Sequence, residues 1–342
     1  MKSIGIYDVA ASTSGALAIL MEYYEKAQGD ELNEYHFFIS TPQLKSRGNV
    51  FVHRFPWVKR SLFHRAFFEI FFAGKLSKKY KIDEIVSLQN IMVRGAAAPQ
   101  TVYFHSPFLA ELTEYRFRFR EEPLFWIYQN ILGPIMKRSL KESSHVIMQT
   151  QWMKRCCVSQ YNIPAEKISV VRPRCLQMPE RACFISGEPF EFFYPATPIS
   201  YKNHVLLFKA CILLAEKGLD FKVFLTISKN DALDIAMKAG MDGIPPQVIC
   251  EGWMSKEDVF DRYRTCALVF PSHLETWGMP ISEAASCGSP LLLADCEYAH
   301  ETAGDYGDVL YFSPYSAKDL ANAMSYTIAR FSRIKNDKGE SE

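Results

Sequence analysis

The chain has 342 residues, 48% of them hydrophobic and 23% charged, with 39 Lys plus Arg against 38 Asp plus Glu. At roughly 150 residues per domain this length predicts two domains, and the composition excludes global disorder. No apolar run reaches the roughly 18 residues of a membrane span, Met1–Tyr7 reads as a strand and not a secretion signal, and the nine cysteines form no Cys-x-x-Cys pair. A cytosolic chain with reduced thiols, without a disulfide scaffold or structural zinc, is the expectation.

Charge is unevenly spread. Residues 1–180 carry 24 Lys plus Arg against 16 Asp plus Glu, and the remainder carries 15 against 22. A basic first half and an acidic second half predict different partners for the two domains.

In chain order, Ile4–Val9 is a short apolar strand, Ala10–Gly15 a small-residue turn and Ala16–Lys26 a helix. Tyr35–Ile39 is a second strand. Residues 51–81 then hold eight Lys or Arg, nine aromatics and one acid, Glu69. Helical spacing puts Phe63, Phe67, Ile70 and Phe71 on one face and leaves Phe68 and Phe72 off it. Two readings stay open: a helix lying on an anionic bilayer, or a core helix with a solvated basic rim. The run Tyr115–Arg120 repeats the basic–aromatic theme, and no nucleic-acid-binding motif accompanies either segment.

Ile85–Leu88, Thr101–Phe104 and Val146–Gln149 are further strands, each followed by turn residues and helical patterning. The pattern breaks at Leu176–Pro189, which reads as an interdomain linker. A second alternating series follows: strands Phe190–Tyr194, Phe221–Ile227, Gln247–Cys250, Ala267–Phe270 and Pro290–Leu293, with helices Asn203–Lys217, Asp231–Ala239, Lys256–Arg264 and Pro280–Cys287. Ala317–Arg330 is a last helix, and Asn336–Glu342 a polar, frayed tail. Strand–helix alternation of this kind predicts two tandem doubly wound α/β domains with a cleft between them. The boundaries expected are 1–176, 190–316 and a C-terminal helix over 317–335 that packs back toward the first domain.

The chemistry concentrates in Val269–Ala284. A buried strand ends at Pro271-Ser272, a loop carries Glu275, and Gly278 precedes a helix with Pro280 and Glu283 in its first turn. Amide N–H groups near Met279–Ser282, backed by the helix dipole, suit a phosphate. Two flanking carboxylates would repel that phosphate unless aimed at hydroxyls, and a ligand with both features is a nucleotide-sugar.

This segment resembles the signature of the family-four retaining glycosyltransferases of the GT-B fold: Glu, seven residues, Glu, here Glu275 and Glu283, preceded by Pro271-Ser272 and followed by Gly288-Ser289-Pro290. The resemblance implies two Rossmann-like domains. It implies that Glu275 and the stretch Trp277, Gly278, Met279, Pro280 and Ile281 meet the donor sugar and diphosphate, and that Glu283 holds the ribose. In Tyr194–His204, Lys202 would neutralise the diphosphate leaving group. Thr197 stands where many members carry an arginine, with Arg172, Arg174 and Lys229 as possible substitutes. In the first domain His105, after the strand at Phe104, matches a histidine that contacts the donor sugar. Gly15 matches a glycine loop near the diphosphate, and Asn90, with Gln89, would line the acceptor side.

The chain contains no Asp-x-Asp, so no metal and no other cofactor is expected; Gly-x-Gly-x-x-Gly, P-loop and Gly-x-Ser-x-Gly patterns are also missing. The expected partners are a nucleotide-sugar donor, a saccharide acceptor that is lipid-linked if the bilayer reading of 51–81 holds, and an anionic membrane surface, but no nucleic acid. The activity implied is sugar transfer in surface-glycan synthesis, on the inner face of the cytoplasmic membrane. A nucleotide-sugar 2-epimerase and a non-catalytic glycan- or partner-binding protein are the alternatives.

Overall fold

A computed structural model describes residues 1–11, 14–109, 116–174 and 189–339. The chain divides into two compact units, Met1–Pro173 and Arg174–Glu342.

The first unit is built on seven strands: β1 (Ser3–Asp8), β2 (Glu34–Ile39), β3 (Val50–Arg54), β4 (Glu84–Ser87), β5 (Gln100–Phe104), β6 (His145–Met148) and β7 (Ile168–Val170). All pair in parallel, in the order β3-β2-β1-β4-β5-β6-β7. Strands covered on both faces need apolar residues in succession, and Phe37-Phe38-Ile39 of β2 is fully buried. On one face, helix α1 (Ser14–Gln28) sets Leu20, Tyr24 and Ala27 against Phe37, Ile39 and Tyr103. On the other, α2 (Leu62–Phe71) and α3 (Ala73–Lys79) bring Phe68 and Ala73 against Tyr7, Phe38 and Ile85. Gly74 in α3 is required by contact, since a Cβ there would lie 2.4 Å from the Arg94 carbonyl oxygen. Helices α4 (Pro123–Ile127), α5 (Gly133–Glu142) and α6 (Gln151–Tyr161) complete the unit.

Helix α2 overturns the core-helix reading of its aromatic stripe. Only Phe68 and Glu69 are buried, whereas Phe63 is 74%, Phe67 41%, Ile70 47% and Phe71 51% exposed. The ring of Phe68, packed 5.0 Å from Phe55 and 6.0 Å from Trp57, decides which face turns inward. Four large apolar side chains are thereby left facing outward.

The second unit alternates strictly: β8 (Phe190–Tyr194), α7 (His204–Glu216), β9 (Phe221–Leu225), α8 (Lys229–Lys238), β10 (Val248–Cys250), α9 (Lys256–Thr265), β11 (Ala267–Phe270), α10 (Met279–Ser286), β12 (Leu291–Ala294), α11 (Glu297–Ala303), β13 (Val309–Phe312) and α12 (Ala317–Gly339). Its six strands are parallel in the order β10-β9-β8-β11-β12-β13. Every residue of β11 and β12 is buried. Reciprocal capping boxes, Ser228 with Asp231 and Ser255 with Asp258, start α8 and α9. Helix α7 is apolar nearly all round because α12 covers the side turned away from the sheet.

Five elements were not anticipated: β3, α3, β7, α11 and β13. Three are strands of three to five residues at or beside a sheet edge, too short for a period-two pattern to register. Helix α12 continues to Gly339, through the stretch from Asn336 expected to fray. It packs on α7 and β13 of its own unit. Residues 176–188 of the expected linker, and Tyr115, lie outside the described residues.

Candidate active site

In a doubly wound sheet, ligands bind beyond the carboxyl ends of the strands where the strand order reverses. In the second unit that point lies between β8 and β11: the chain leaves β8 toward β9 and β10, and leaves β11 toward β12 and β13. The loop after β8 carries Lys202 and the loop after β11 carries Glu275.

These two side chains meet. Lys202 Nζ donates to Glu275 Oε1, and each side chain is about five-sixths buried, at 15% and 16% exposure. Ser272 Oγ donates to the same carboxylate oxygen at 2.9 Å. The Lys202 loop is pinned by its own backbone: Tyr194 OH donates to the Lys202 carbonyl at 2.7 Å, and the His273 N–H to the Tyr201 carbonyl at 2.8 Å. Asn203 ties three segments together. Held left-handed at φ 60°, it donates from Nδ2 to the carbonyls of Pro271 at 3.1 Å and Pro314 at 2.9 Å. Asparagine tolerates that backbone better than most residues. The run Lys202-Asn203-His204 displays the residue, but its partners lie 68 and 111 residues away.

Gly278 is the N-cap of α10 at φ 82°, ψ 63°, and an added Cβ would sit 3.1 Å from Ile281 Cδ1. The amide donors at this helix start are fewer than four, because Pro280 has no N–H and the Ile281 N–H is given to the Gly278 carbonyl at 2.9 Å. Ile281 is fully buried and Trp277 is 6% exposed. The Trp277 indole N–H donates to Ser282 Oγ at 2.9 Å, and its carbonyl accepts from Thr302 Oγ1. Met279 and Pro280 are half-buried at the helix start. Thr197 is exposed, and its carbonyl accepts the Ile199 N–H at 2.8 Å.

Glu283 lies one turn into α10, past the first turn where the sequence reading put it. It faces α9: Tyr263 OH donates to Oε2 at 3.3 Å and Lys256 Nζ lies 4.0 Å from Oε1. Burial raises the Glu283 pKa, against the opposing pull of Lys256 and the Tyr263 hydroxyl. The two glutamates thus have separate surroundings, a paired ammonium for Glu275 and a phenol with a distant ammonium for Glu283. Of the substitute cations considered, Lys229 is exposed at the start of α8, and Arg172 and Arg174 are exposed at the unit boundary.

In the first unit the strand order reverses between β1 and β4. Gly15 is exposed in the first turn of α1, with no atom within 4 Å of an added Cβ. Asn90, left-handed at φ 67°, accepts the His105 backbone N–H on Oδ1 at 2.7 Å, which joins the loops after β4 and β5. Burial pushes the His105 pKa down to about 4, so the imidazole is neutral at pH 7.

Two acids that sequence reasoning did not single out for a site sit at the same end of this sheet. Asp8, at the tip of β1, is 1% exposed and accepts the Ala11 N–H at 2.9 Å. Glu69, on the inner face of α2, accepts from Gln89 Nε2 at 2.6 Å. Burial pushes both pKa values up to about 7. The sequence signal was slight: a lone acid ending an apolar strand, and a lone acid inside a basic, aromatic stretch.

Among the described residues, no cluster of three or more His, Cys, Asp or Glu could hold a metal ion, and no helix is long and apolar enough to cross a membrane.

Comparison with known proteins covers both units. The family model "Glycosyltransferase Family 4" matches residues 26–173, and "Glycosyl transferases group 1" matches 182–330. A curated relative from Campylobacter jejuni, N,N'-diacetylbacillosaminyl-diphospho-undecaprenol alpha-1,3-N-acetylgalactosaminyltransferase, is 26% identical over 152 residues, 42% of this chain and 40% of its own length. The match therefore spans about two fifths of that relative. Among solved structures, WaaG, a glycosyltransferase involved in lipopolysaccharide biosynthesis, superposes with a TM-score of 0.71 at 14% identity, over 95% of this chain and 90% of its own. Anabaena HepE in complex with UDP-glucose gives 0.64 at 15% identity, over 97% and 91%. With each unit matched by a glycosyltransferase family model and this architecture over nearly its whole length, the chain belongs to the GT-B glycosyltransferase superfamily.

Proposed function

We propose that this chain is a retaining glycosyltransferase. It moves a sugar from a nucleotide-diphospho-sugar to a hydroxyl of a lipid-linked saccharide in surface-glycan synthesis. The observation that carries the reading is the Lys202–Glu275 pair at the strand-order reversal of the second unit, beside the N-terminus of α10. An ammonium and a helix start together suit a diphosphate, and a carboxylate beside them suits sugar hydroxyls.

In this reading the donor diphosphate takes Lys202 away from Glu275, freeing the carboxylate for the sugar. As the bond to the anomeric carbon breaks, Lys202 and the α10 amides stabilise the charge gathering on the leaving diphosphate. No metal is needed for that step. Glu283, off the Lys202 axis, holds the ribose. The first unit supplies the acceptor, with Asn90 and the neutral His105 it holds on the acceptor side. The acceptor hydroxyl oxygen bonds to the anomeric carbon on the face the diphosphate leaves, its proton passes to an oxygen of that diphosphate, and the anomeric configuration is retained.

The Campylobacter relative is named as acting on a diphospho-undecaprenol saccharide, HepE binds UDP-glucose and WaaG takes part in lipopolysaccharide synthesis. These support a lipid-linked acceptor and a nucleotide-sugar donor here. The exposed aromatic face of α2, in a stretch with eight bases, supports peripheral attachment to an anionic bilayer on its cytoplasmic side.

A thermal-shift panel of UDP, GDP, CMP and ADP tests the donor site. Stabilisation by one nucleoside diphosphate, lost in Glu283→Ala, is expected; a flat response to all four rejects the reading.

A further inference from the structure

Beneath the Lys202–Glu275 pair lies a buried set of hydroxyls drawn from three neighbouring strand ends. Tyr194 closes β8, Ser272 follows β11, and Tyr298 stands at the start of α11, after β12. These three strands are adjacent in the sheet. Tyr194 and Ser272 are fully buried and Tyr298 is 3% exposed. The Phe270 ring packs edge-to-face against both phenols, with centroids 5.6 Å from Tyr194 and 6.4 Å from Tyr298.

A buried phenol needs a hydrogen-bond partner, and here each takes a loop carbonyl. Tyr194 OH donates to the Lys202 carbonyl at 2.7 Å, and Tyr298 OH to the Ser272 carbonyl at 2.5 Å. Burial above all, with Glu275 among the nearby charges, raises both phenol pKa values well above the ordinary one, so both stay donors at neutral pH. Ser272 extends one of these ties into the site. Its single proton has three oxygens in reach: Glu275 Oε1 at 2.9 Å, and the Leu274 and Tyr201 carbonyls at 3.3 and 3.4 Å. The nearest oxygen is also the charged one, and it takes the proton. The two ties therefore reach opposite members of the pair. Tyr194 fixes the Lys202 backbone, and Tyr298, through Ser272, fixes the Glu275 carboxylate.

We propose that Tyr194 and Tyr298 are positioning residues that divide the donor site between them: Tyr194 holds Lys202 for the diphosphate, and Tyr298, acting through Ser272, holds Glu275 for the donor sugar. The inference rests on the transferase reading and adds two residues that lie outside the Glu275–Glu283 segment. When a diphosphate draws Lys202 away, Ser272 Oγ keeps the carboxylate aimed. A role in packing alone would loosen both loops together, because Phe270 packs against both rings.

The test is calorimetric titration of the full chain with UDP, GDP and ADP, and with UDP-glucose, UDP-N-acetylgalactosamine, GDP-mannose and ADP-glucose. The gain in affinity from bare diphosphate to sugar ester measures the sugar contact. Tyr→Phe removes one oxygen and keeps the ring. Tyr194→Phe should weaken bare diphosphate and sugar ester alike by about fivefold, the usual loss with one hydrogen bond. Tyr298→Phe should leave the bare diphosphate unchanged and lower the sugar gain by about fivefold. In a Glu275→Ala background it should change nothing further. Ser272→Ala should reproduce Tyr298→Phe, and it carries the test if Tyr298→Phe loses its cooperative melt. Both phenol variants lowering both affinities alike would overturn the proposal. So would an effect of Tyr298→Phe that persists in Glu275→Ala, or a wild-type chain that binds no sugar ester more tightly than its bare diphosphate. In each of these cases a nucleoside diphosphate still binds; failure of the transferase reading differs in that none binds.

Discussion

Lys202 and Glu275, 73 residues apart, share a hydrogen-bonded ion pair at the point where the second sheet reverses its strand order. Neither element places its residue there alone. The β8 and β11 strands lie side by side, so loops distant in sequence leave the sheet as neighbours.

The pair makes a first prediction. Lys202→Ala should lower turnover by about 10²–10³, the usual loss when one charge-stabilising donor is removed. Glu275→Ala should abolish transfer while the unfolding transition stays cooperative. Steady-state transfer assays beside a thermal melt check both, and wild-type turnover in Glu275→Ala would reject the assignment of that carboxylate.

Asn203 supports the same loop in two ways, through its left-handed backbone and its two side-chain donations. Asn203→Gly keeps the backbone and loses the hydrogen bonds; Asn203→Ala loses both. The alanine variant should therefore be the less stable by about 1 kcal/mol, and both should lose turnover because Lys202 is no longer held. Denaturant titration of the two variants measures the difference, and equal stability would remove the backbone contribution.

Gly278 combines φ 82° with a neighbour 3.1 Å from an added Cβ. Gly278→Ala should cost about 1–2 kcal/mol and should weaken nucleoside-diphosphate binding by shifting the start of α10. Calorimetry of binding, with a melt in parallel, reads both; unchanged affinity would mean that the donor does not use this helix start.

Asp8 and Glu69 predict a pH dependence in the first unit. Both have pKa values raised to about 7 by burial, so the folded chain holds these protons more tightly than the unfolded chain does. Their contribution to stability is complete below the ordinary carboxylate range and is lost as pH rises through 7. Glu69→Gln keeps an oxygen for Gln89 Nε2 and removes one titration. Compared with wild type, the variant should gain several degrees in Tm at pH 8 relative to pH 5, on the order of 5 °C. Parallel pH profiles would disprove the assignment.

The sequence by itself determined the architecture and pointed to the segment that forms the candidate site. Strand–helix alternation was visible because buried parallel strands need continuous apolar runs and their covering helices need a 3.6-residue period. Phe190–Tyr194 and Ala267–Phe270 were legible to the residue for that reason. The glycine, proline and acids from Glu275 to Glu283 could be read because a helix start has local chemical rules. Short edge strands such as β7 and β13 escaped, since a handful of residues carries no period.

Tertiary structure alone decided the pairings and the facings. The partner of Lys202, the three segments tied by Asn203 and the burial of Asp8 and Glu69 all depend on which strands are neighbours. The direction of α2 was settled by one ring, Phe68, docking beneath Phe55 and Trp57, which left the predicted aromatic stripe outside. Periodicity reports that a helix has two faces. Which face the protein covers is a competition between surfaces distant in sequence, and only packing resolves it.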